Sequence, residues 1–234
     1  MRRGLVFGYC PICEKQTFYY LEGVWIRDQL FCARCRSIPR WRALIHVLET
    51  FFPDWRDLSI HESSPGGPAS EKISSECKKY VPTHYFPDIE TGKMKDGFLS
   101  MNIEHQDFKS ESFDLVITQD VFEHVLHPDK GFEEIARTLK PGGAHVFTVP
   151  WYYWKETFIR ANAQDGEIKY LAEPEYHGNP IDDNGSLVIT EWGWGIVDYI
   201  YKNANLTTTV LRIQDKHLGI DGEFVEVFIS RKIV

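Results

Sequence analysis

SFDLVITQDVFEHVLHPDKGFEEIARTLKPGGAHVFTVP, residues 112–150, is the stretch on which the fold turns. It reads as a short apolar strand (FDLVITQD), a helical stretch (HPDKGFEEIARTLK) and a second strand (PGGAHVFTVP). Moving outward, the same alternation begins at Leu58, with LSIHE, PASEKISSECKK, YVPTHYF and GFLSMNIE in turn. Alternating strands and helices imply parallel pairing through right-handed crossovers, hence an open, doubly wound α/β sheet covered on both faces, Rossmann-like in architecture. The C-terminal end departs from this. IVDYIYKNA has helical character, TTTVLRI and EFVEVFISR read as strands, and with only DKHLGIDG between them the two strands most simply pair antiparallel. Ligands of open α/β sheets bind beyond the carboxyl ends of the strands, where Glu62, His84, Asn102 and Gln119 are expected.

The first strand of this sheet runs into SIHESSPGGPAS, residues 59–70. One carboxylate precedes a turn of serine, proline and two glycines, as in many nucleotide-binding strand-to-helix turns. The turn matches neither G-x-G-x-x-G nor a P-loop, having only Gly66 and Gly67 and no lysine placed for a phosphate.

Four of the five cysteines fall as Cys10-x2-Cys13 and Cys32-x2-Cys35, with 18 residues between the pairs. That spacing suits a tetrahedral four-thiolate zinc site, and the β-prone segments TFYY and VWI between the pairs suggest a zinc-ribbon-like hairpin over residues 1–37. Two disulfides are the competing reading, disfavoured for a cytosolic chain. Four thiolates leave no open coordination position, so the expected ion is a structural Zn2+ supplying much of the folding energy of a module with little core. Cys77 is expected to pack as a small hydrophobe. SIPRWRALIHVLETFF then reads as a connecting helix within residues 38–56, capped near Ser37 or Ile38, with Pro39 in its first turn and an end before Pro53. The α/β domain occupies residues 57–234.

A chain of 234 residues with 43% hydrophobic and 26% charged content is ordinary for a globular protein and needs no disulfide staples. It has no apolar run long enough to span a bilayer and no usable signal segment, so a cytoplasmic location away from membranes is expected. The formal net charge of -8 argues against a broad nucleic-acid surface. Arg34, Arg36, Arg40 and Arg42 are the one local cluster able to meet an acidic partner.

The 112–150 run, with Phe113, Asp114, Glu123, His124, Arg137, Leu139, Lys140, Pro141, Gly142 and Gly143, resembles the strand-4 to strand-5 block of class I S-adenosylmethionine-dependent methyltransferases, in particular the broad type 11 group. The resemblance is good over roughly residues 57–150 and topological over the last 40. It implies that SIHESSPGGPAS lies where the methionine and ribose portions of S-adenosylmethionine rest. Glu62 then meets the amino or ribose side of the cofactor, and Ser63, Ser64 and Gly66 form the turn. The family's usual E/D-x-G-x-G is here Glu62-Ser63-Ser64-Pro65-Gly66. The family's ribose-binding acid is replaced by His84, with Tyr85 beside it, so either His84 donates to the ribose or another group takes over. Asn102 and Ile103 correspond to the adenine-contacting pair, and Gln119 and Val121 flank the cofactor.

His124 of the EHV motif and His177 of PEYHGNP are the two candidate bases. The aromatic insertion at about 151–190 is placed to form a lid over the acceptor, with Trp151, Tyr152, Tyr176 and Asn179 as candidate contacts. The expected activity is methyl transfer to an oxygen, or a nitrogen, of a small-molecule or sugar-containing acceptor. Two rival readings are an RNA base methyltransferase that docks RNA through the ribbon, and a noncatalytic cofactor-binding scaffold.

Overall fold

The computed structural model describes residues 5–164, 167–178 and 185–233. The chain opens with an antiparallel sheet of three strands, β1 (Val6–Cys10), β2 (Lys15–Leu21) and β3 (Leu30–Cys32), with a single helical turn, α1 (Ile26–Gln29), before the third. The β-prone VWI segment is not a strand. Gln29 Oε1 accepts hydrogen bonds from the Val24 and Trp25 amides at 2.9 and 2.8 Å, which closes a turn there, and Val24 projects into solvent with no strand beside it. Local propensity loses to a side chain that satisfies the backbone.

Helix α2 (Pro39–Phe51) starts with proline at its first position and stops before Pro53. Its Ala43, Leu44, Ile45, Val47 and Leu48 are fully buried. Arg42, on the same helix, is also fully buried. Its guanidinium donates to the carbonyls of Ser37, Leu30 (2.9 Å) and Gly219 (2.6 Å) and lies over the Tyr19 ring at 4.6 Å. One buried cation thus ties the cysteine segment, the helix and the loop before the last strand together. The Tyr9 amide adds a bond to the His217 carbonyl at 2.8 Å.

The main sheet comprises β4 (Ser59–Ser63), β5 (Lys79–His84), β6 (Met94–Lys95), β7 (Phe98–Ser100), β8 (Phe113–Gln119) and β9 (Leu139–Thr148). Helix α3 (Gly67–Glu76) links β4 to β5, and α4 (Pro128–Thr138) links β8 to β9. The insertion that follows is not one element but short paired strands: β10 (Trp151–Tyr152), β11 (Phe158–Ile159), β12 (Ala161–Gln164), β13 (Glu167–Tyr170), β14 (Tyr176–His177), β15 (Ser186–Leu187) and β16 (Thr190–Gly193). Helix α5 (Ile196–Ala204), closed by Asn205 in the left-handed conformation, leads to β17 (Leu206–Leu211) and β18 (Val227–Lys232).

The strand order is β17-β18-β9-β8-β4-β5-β7-β6. Strands β7, β5, β4, β8 and β9 run parallel, while β18 lies antiparallel to both β9 and β17, as the sequence pattern predicts for the C-terminal hairpin. Alternation along the strands splits the core in two. Ile60, Leu115, Ile117 and Val146 pack with α2 and α3 on one face; Val116, Phe147 and Phe228 pack with α4 and α5 on the other. The first cluster continues without a break into Cys10, Tyr19 and Cys32, so the cysteine segment shares its core with the sheet. The chain direction switches beside β4, which has β5 on one flank and β8 on the other, and there the strand ends open into a crevice.

Candidate active site

A cavity of about 770 Å³ occupies that crevice. Its floor is the turn after β4. Ser64, at φ 57°, and Gly67, at φ 71°, bend the backbone so that Ser63, Ser64, Gly66 and Gly67 all face the cavity. A Cβ on Gly66 would meet nothing within 4 Å, whereas one on Gly67 would lie 2.4 Å from the Trp41 ring of α2. The helix that follows the cysteine segment therefore braces the turn.

Glu62 does not reach the cavity wall. Its carboxylate is fully buried, and Oε1 accepts from Ser70 Oγ (2.7 Å) and Gln119 Nε2 (2.7 Å) while Oε2 accepts from the Tyr80 hydroxyl (2.6 Å). Ser70 Oγ in turn accepts the Gly66 amide at 2.9 Å. Burial pushes the Glu62 carboxyl up, and the three donors oppose the shift. In this structure Glu62 supports the glycine turn from behind, its carboxylate turned inward from the end of β4.

His84 ends β5, buried and edge-on to Phe98 at 4.4 Å, with Nδ1 unpartnered. Burial lowers its pKa and keeps the ring neutral. Half-exposed Tyr85, Asn102 and Ile103 continue the wall. Asn102 Oδ1 accepts the Glu104 amide at 2.9 Å, so one of its lone pairs is already occupied. Gln119 and Val121 line the opposite flank, the Gln119 amide nitrogen turned back to Glu62.

The cysteine segment supplies a wall that the sequence reading missed. Trp25, Arg27, Asp28, Arg40 and Trp41 all border the cavity. Arg27 Nη2 lies 2.5 Å and Arg40 Nη1 3.2 Å from Asp120 Oδ2, and Arg40 Nε lies 2.8 Å from Asp28. Burial alone would raise the Asp120 pKa, but the two guanidiniums outweigh it and hold the carboxyl well below the usual range. The WIRD tetrapeptide between the cysteine pairs, with more polar and aromatic content than a metal hairpin needs, was the available signal. The four-arginine cluster is correspondingly not a free basic surface. Arg42 is buried, Arg40 is paired, Arg36 pairs with Glu22 at 3.2 Å, and Arg34 donates to the Gln16 carbonyl at 3.0 Å.

The fourth side holds Glu123, His124 and His177. His124 Nδ1 lies 2.9 Å from the Leu187 carbonyl, which can only accept, so Nδ1 carries the proton and Nε2 a lone pair. Burial pushes this imidazole down to about 4, leaving it neutral at pH 7. Its ring is perpendicular to that of His177, with centroids 5.3 Å apart. Glu123 is 1% exposed, with neither carboxylate oxygen hydrogen-bonded, and burial, reinforced by Asp120, pushes its pKa well up.

The insertion closes this side through Ile168, His177, Gly178, Ser186, Leu187 and Ile189. The other insertion candidates lie elsewhere. Tyr176 precedes His177 on β14 and, by the alternation of a strand, points to solvent at 54% exposure. Trp151 donates Nε1 to the Gly193 carbonyl at 3.0 Å and packs edge-on against Phe228, and Tyr152 packs against Phe224 beneath the Lys155 ammonium. Neither borders the cavity, because β10 pairs with β16 beside the sheet. Asn179 lies outside the described residues.

Away from the cavity, the four cysteine sulfurs converge within 4.8 Å of one another. Cys10 and Cys35 are 3.7 Å apart and Cys13 and Cys32 3.9 Å, too far for disulfides but close to the roughly 3.8 Å edge of a tetrahedron with 2.3 Å metal–sulfur bonds. The Arg34 amide and Thr17 hydroxyl point at Cys32 Sγ, each at 3.4 Å. Cys77 is buried, as expected.

This strand order, with its antiparallel end and a crevice beside β4, defines the class I S-adenosylmethionine-dependent methyltransferase fold. Residues 71–147 match the model of the family described as methyltransferase domain. Among curated proteins, a malonyl-[acyl-carrier protein] O-methyltransferase of Paenibacillus sp. (strain JDR-2) is 32% identical over 71 residues, 30% of this chain and 25% of that protein, so the match spans about a quarter of the relative's length. Three solved structures share the fold. One chain of the complex between the Haloferax volcanii Trm112 methyltransferase activator and a methyltransferase is 17% identical, with a TM-score of 0.53 over 84% of this chain and 90% of that one. The Burkholderia thailandensis 1,6-didemethyltoxoflavin-N1-methyltransferase, with bound 1,6-didemethyltoxoflavin and S-adenosylhomocysteine, is 12% identical, with a TM-score of 0.51 over 83% and 79%. An S-adenosylmethionine-dependent methyltransferase from Mesorhizobium loti is 13% identical, with a TM-score of 0.53 over 81% and 97%.

Proposed function

We propose that the protein transfers a methyl group from S-adenosylmethionine to an oxygen of a small-molecule or sugar-containing acceptor. The observation that carries this reading is one cavity lined both by a glycine turn braced by Trp41 and by the neutral imidazole of His124. The residues present suit the cofactor. Backbone at Ser63, Ser64 and Gly66 permits close approach, Ile103 and Val121 offer apolar contact to a base, and Asn102 retains an acceptor lone pair. His84, a neutral imidazole that borders the cavity, stands in the place of the family's ribose acid.

When bound, S-adenosylmethionine supplies a methyl group already activated on a sulfonium. The chain has to orient the acceptor and exclude water, work worth about 7–11 kcal/mol when the reacting groups are well aligned. His124 Nε2, its ring fixed by Leu187, is the base that takes a hydroxyl proton, with His177 beside it as the second candidate. Positioned base catalysis contributes roughly 100- to 10,000-fold. The O-methyltransferase among the relatives supports oxygen over nitrogen, and the pairing of Arg40 and Arg36 with acidic residues, together with the burial of Arg42, weighs against the RNA reading.

The four cysteines suit zinc, which would act as a structural ion. Four thiolates around Zn2+ carry two net negative charges, and the buried Arg42 guanidinium stands close enough to feel three of the sulfurs. Unpaired cysteines fit a reducing compartment, and we place the protein in the cytoplasm. Among the described residues no helix is long and apolar enough to cross a membrane.

The test is incubation with methyl-labelled S-adenosylmethionine and a panel of sugars, glycosides and small hydroxy compounds, scoring label transfer. Transfer to a hydroxyl, reduced at least about 100-fold by His124→Ala, is the expected result. Cofactor binding with no transfer to any acceptor would favour the scaffold reading.

A further inference from the structure

Glu123 presents a problem that the hydrogen-bond network does not solve. A carboxyl group at 1% exposure with both oxygens unpartnered is costly to bury. Two ring nitrogens face it, His124 Nε2 at 3.7 Å and His177 Nδ1 at 3.9 Å from the same oxygen, Oε1. Both separations exceed the 2.7–2.9 Å of a charge-assisted hydrogen bond, so the imidazoles do not satisfy the carboxylate directly. His124 is held by its other nitrogen, Nδ1–H donating to the Leu187 carbonyl, while the other nitrogen of His177, Nε2, has the Glu175 carboxylate 3.5 Å away. A backbone carbonyl or carboxylate behind each imidazole is how metal-bound histidines are oriented.

We propose that Glu123, His124 and His177 form a binding site for a divalent first-row transition-metal cation in the acceptor end of the cavity. The three ligand atoms lie within 4.8 Å of one another. Ligands about 2.1 Å from a tetrahedral ion stand about 3.4 Å apart, so the two gaps to Glu123, 3.7 and 3.9 Å, need to close by about half an ångström or less. Two imidazoles and one carboxylate suit zinc, manganese, iron or cobalt, and three protein ligands leave open positions for oxygens of a bound molecule. The Glu14, Glu49 and Glu76 group differs, since Arg56 and Lys72 already neutralise it. The ion's role, though not the site itself, rests on the methyl-transfer reading. When the ion is bound it takes over the work that His124 does in its absence: it anchors the acceptor through one or two hydroxyl oxygens and makes a bound hydroxyl acidic enough to release its proton to solvent, and the His124 Nε2 lone pair, now a ligand, is no longer free to take that proton.

Cobalt(II) is the probe. The full chain, its cysteine site filled with zinc, is titrated with Co2+ while visible absorption and metal content are followed. The expected result is one further equivalent, giving weak d–d bands without a thiolate charge-transfer band, and affinity at least about tenfold lower in His177→Ala and Glu123→Gln. His177 lies on a partly exposed hairpin, so its variant should fold even if Glu123→Gln does not. No second equivalent, or one whose affinity His177→Ala leaves unchanged, overturns the site. S-adenosylhomocysteine titrated into the same samples reports separately on the methyltransferase reading. A chain that binds it but takes no second ion refutes the site alone. A chain that binds the ion but not S-adenosylhomocysteine keeps the site and removes the role assigned to it.

Discussion

Gly67→Ala should damage the turn for two separable reasons. At φ 71° an alanine pays about 1–2 kcal/mol for the left-handed conformation. Its Cβ would also sit 2.4 Å from the Trp41 ring, an overlap that must be relieved by moving α2 or the turn, at about 1–3 kcal/mol. The expected loss is about 2–5 kcal/mol by urea denaturation followed by circular dichroism. In a Trp41→Ala background only the conformational part should remain, leaving a coupling of about 1–3 kcal/mol between the two sites. Equal cost in both backgrounds would show that the helix does not brace the turn. A loss below about 0.5 kcal/mol in the wild-type background would refute both parts of the reasoning.

His61 and His145 are fully buried, hydrogen-bonded through Nε2 to Thr83 and Thr118 at 2.9 Å, and burial holds His61 down to about 3 and His145 well below its usual range. Below pH 6.5 the unfolded chain binds protons that the folded one refuses, so stability should fall with pH at about 1.4 kcal/mol per unit for each, down to about pH 4; a flat urea midpoint from pH 7 to 4.5 would contradict this. Stripping the cysteine site with a chelator should weaken S-adenosylhomocysteine binding as well as unfold the three-strand sheet, because Trp41 and the Arg27–Asp120 wall depend on it; calorimetry before and after treatment decides. Arg27→Ala should cost about 3 kcal/mol in denaturant by leaving Asp120 with Arg40 alone, and Asp120→Ala in the same chain should recover part of that loss.

The parallel strands β4, β5, β7, β8 and β9 were legible because each contains a short apolar run bounded by a turn, and such runs need no distant partner to be recognised; the exposed Met94–Lys95 pair of β6 was not. The cysteine pairs were legible for the same reason, each being a local pattern with a chemical meaning. The cavity lining was legible only where it follows strand ends, as for His84, Asn102 and Gln119. Arg27 and Arg40 were not, because their place on the wall depends on Asp120, far away in sequence, and no periodicity records that contact. Glu62 shows the opposite failure. Its position at the end of β4 was readable, but the side chain's inward turn depends on Tyr80 and Ser70 rather than on its neighbours in sequence. On β14 a one-residue alternation separates His177, which faces the cavity, from Tyr176, which does not, and composition cannot make that distinction.

The most direct test of the account is calorimetric titration of S-adenosylhomocysteine into the zinc-loaded chain and into Gly66→Val. Gly66 has an extended backbone, at φ -164°, and open space where a side chain would stand, so the variant should fold with a stability loss of about 1 kcal/mol at most while filling the cavity floor. One molecule bound per chain by the wild type, with binding lost or at least about tenfold weaker in Gly66→Val, is the predicted result. Absence of binding by the wild type, or equal affinity in the folded variant, would contradict the assignment of the turn after β4 as the cofactor's seat.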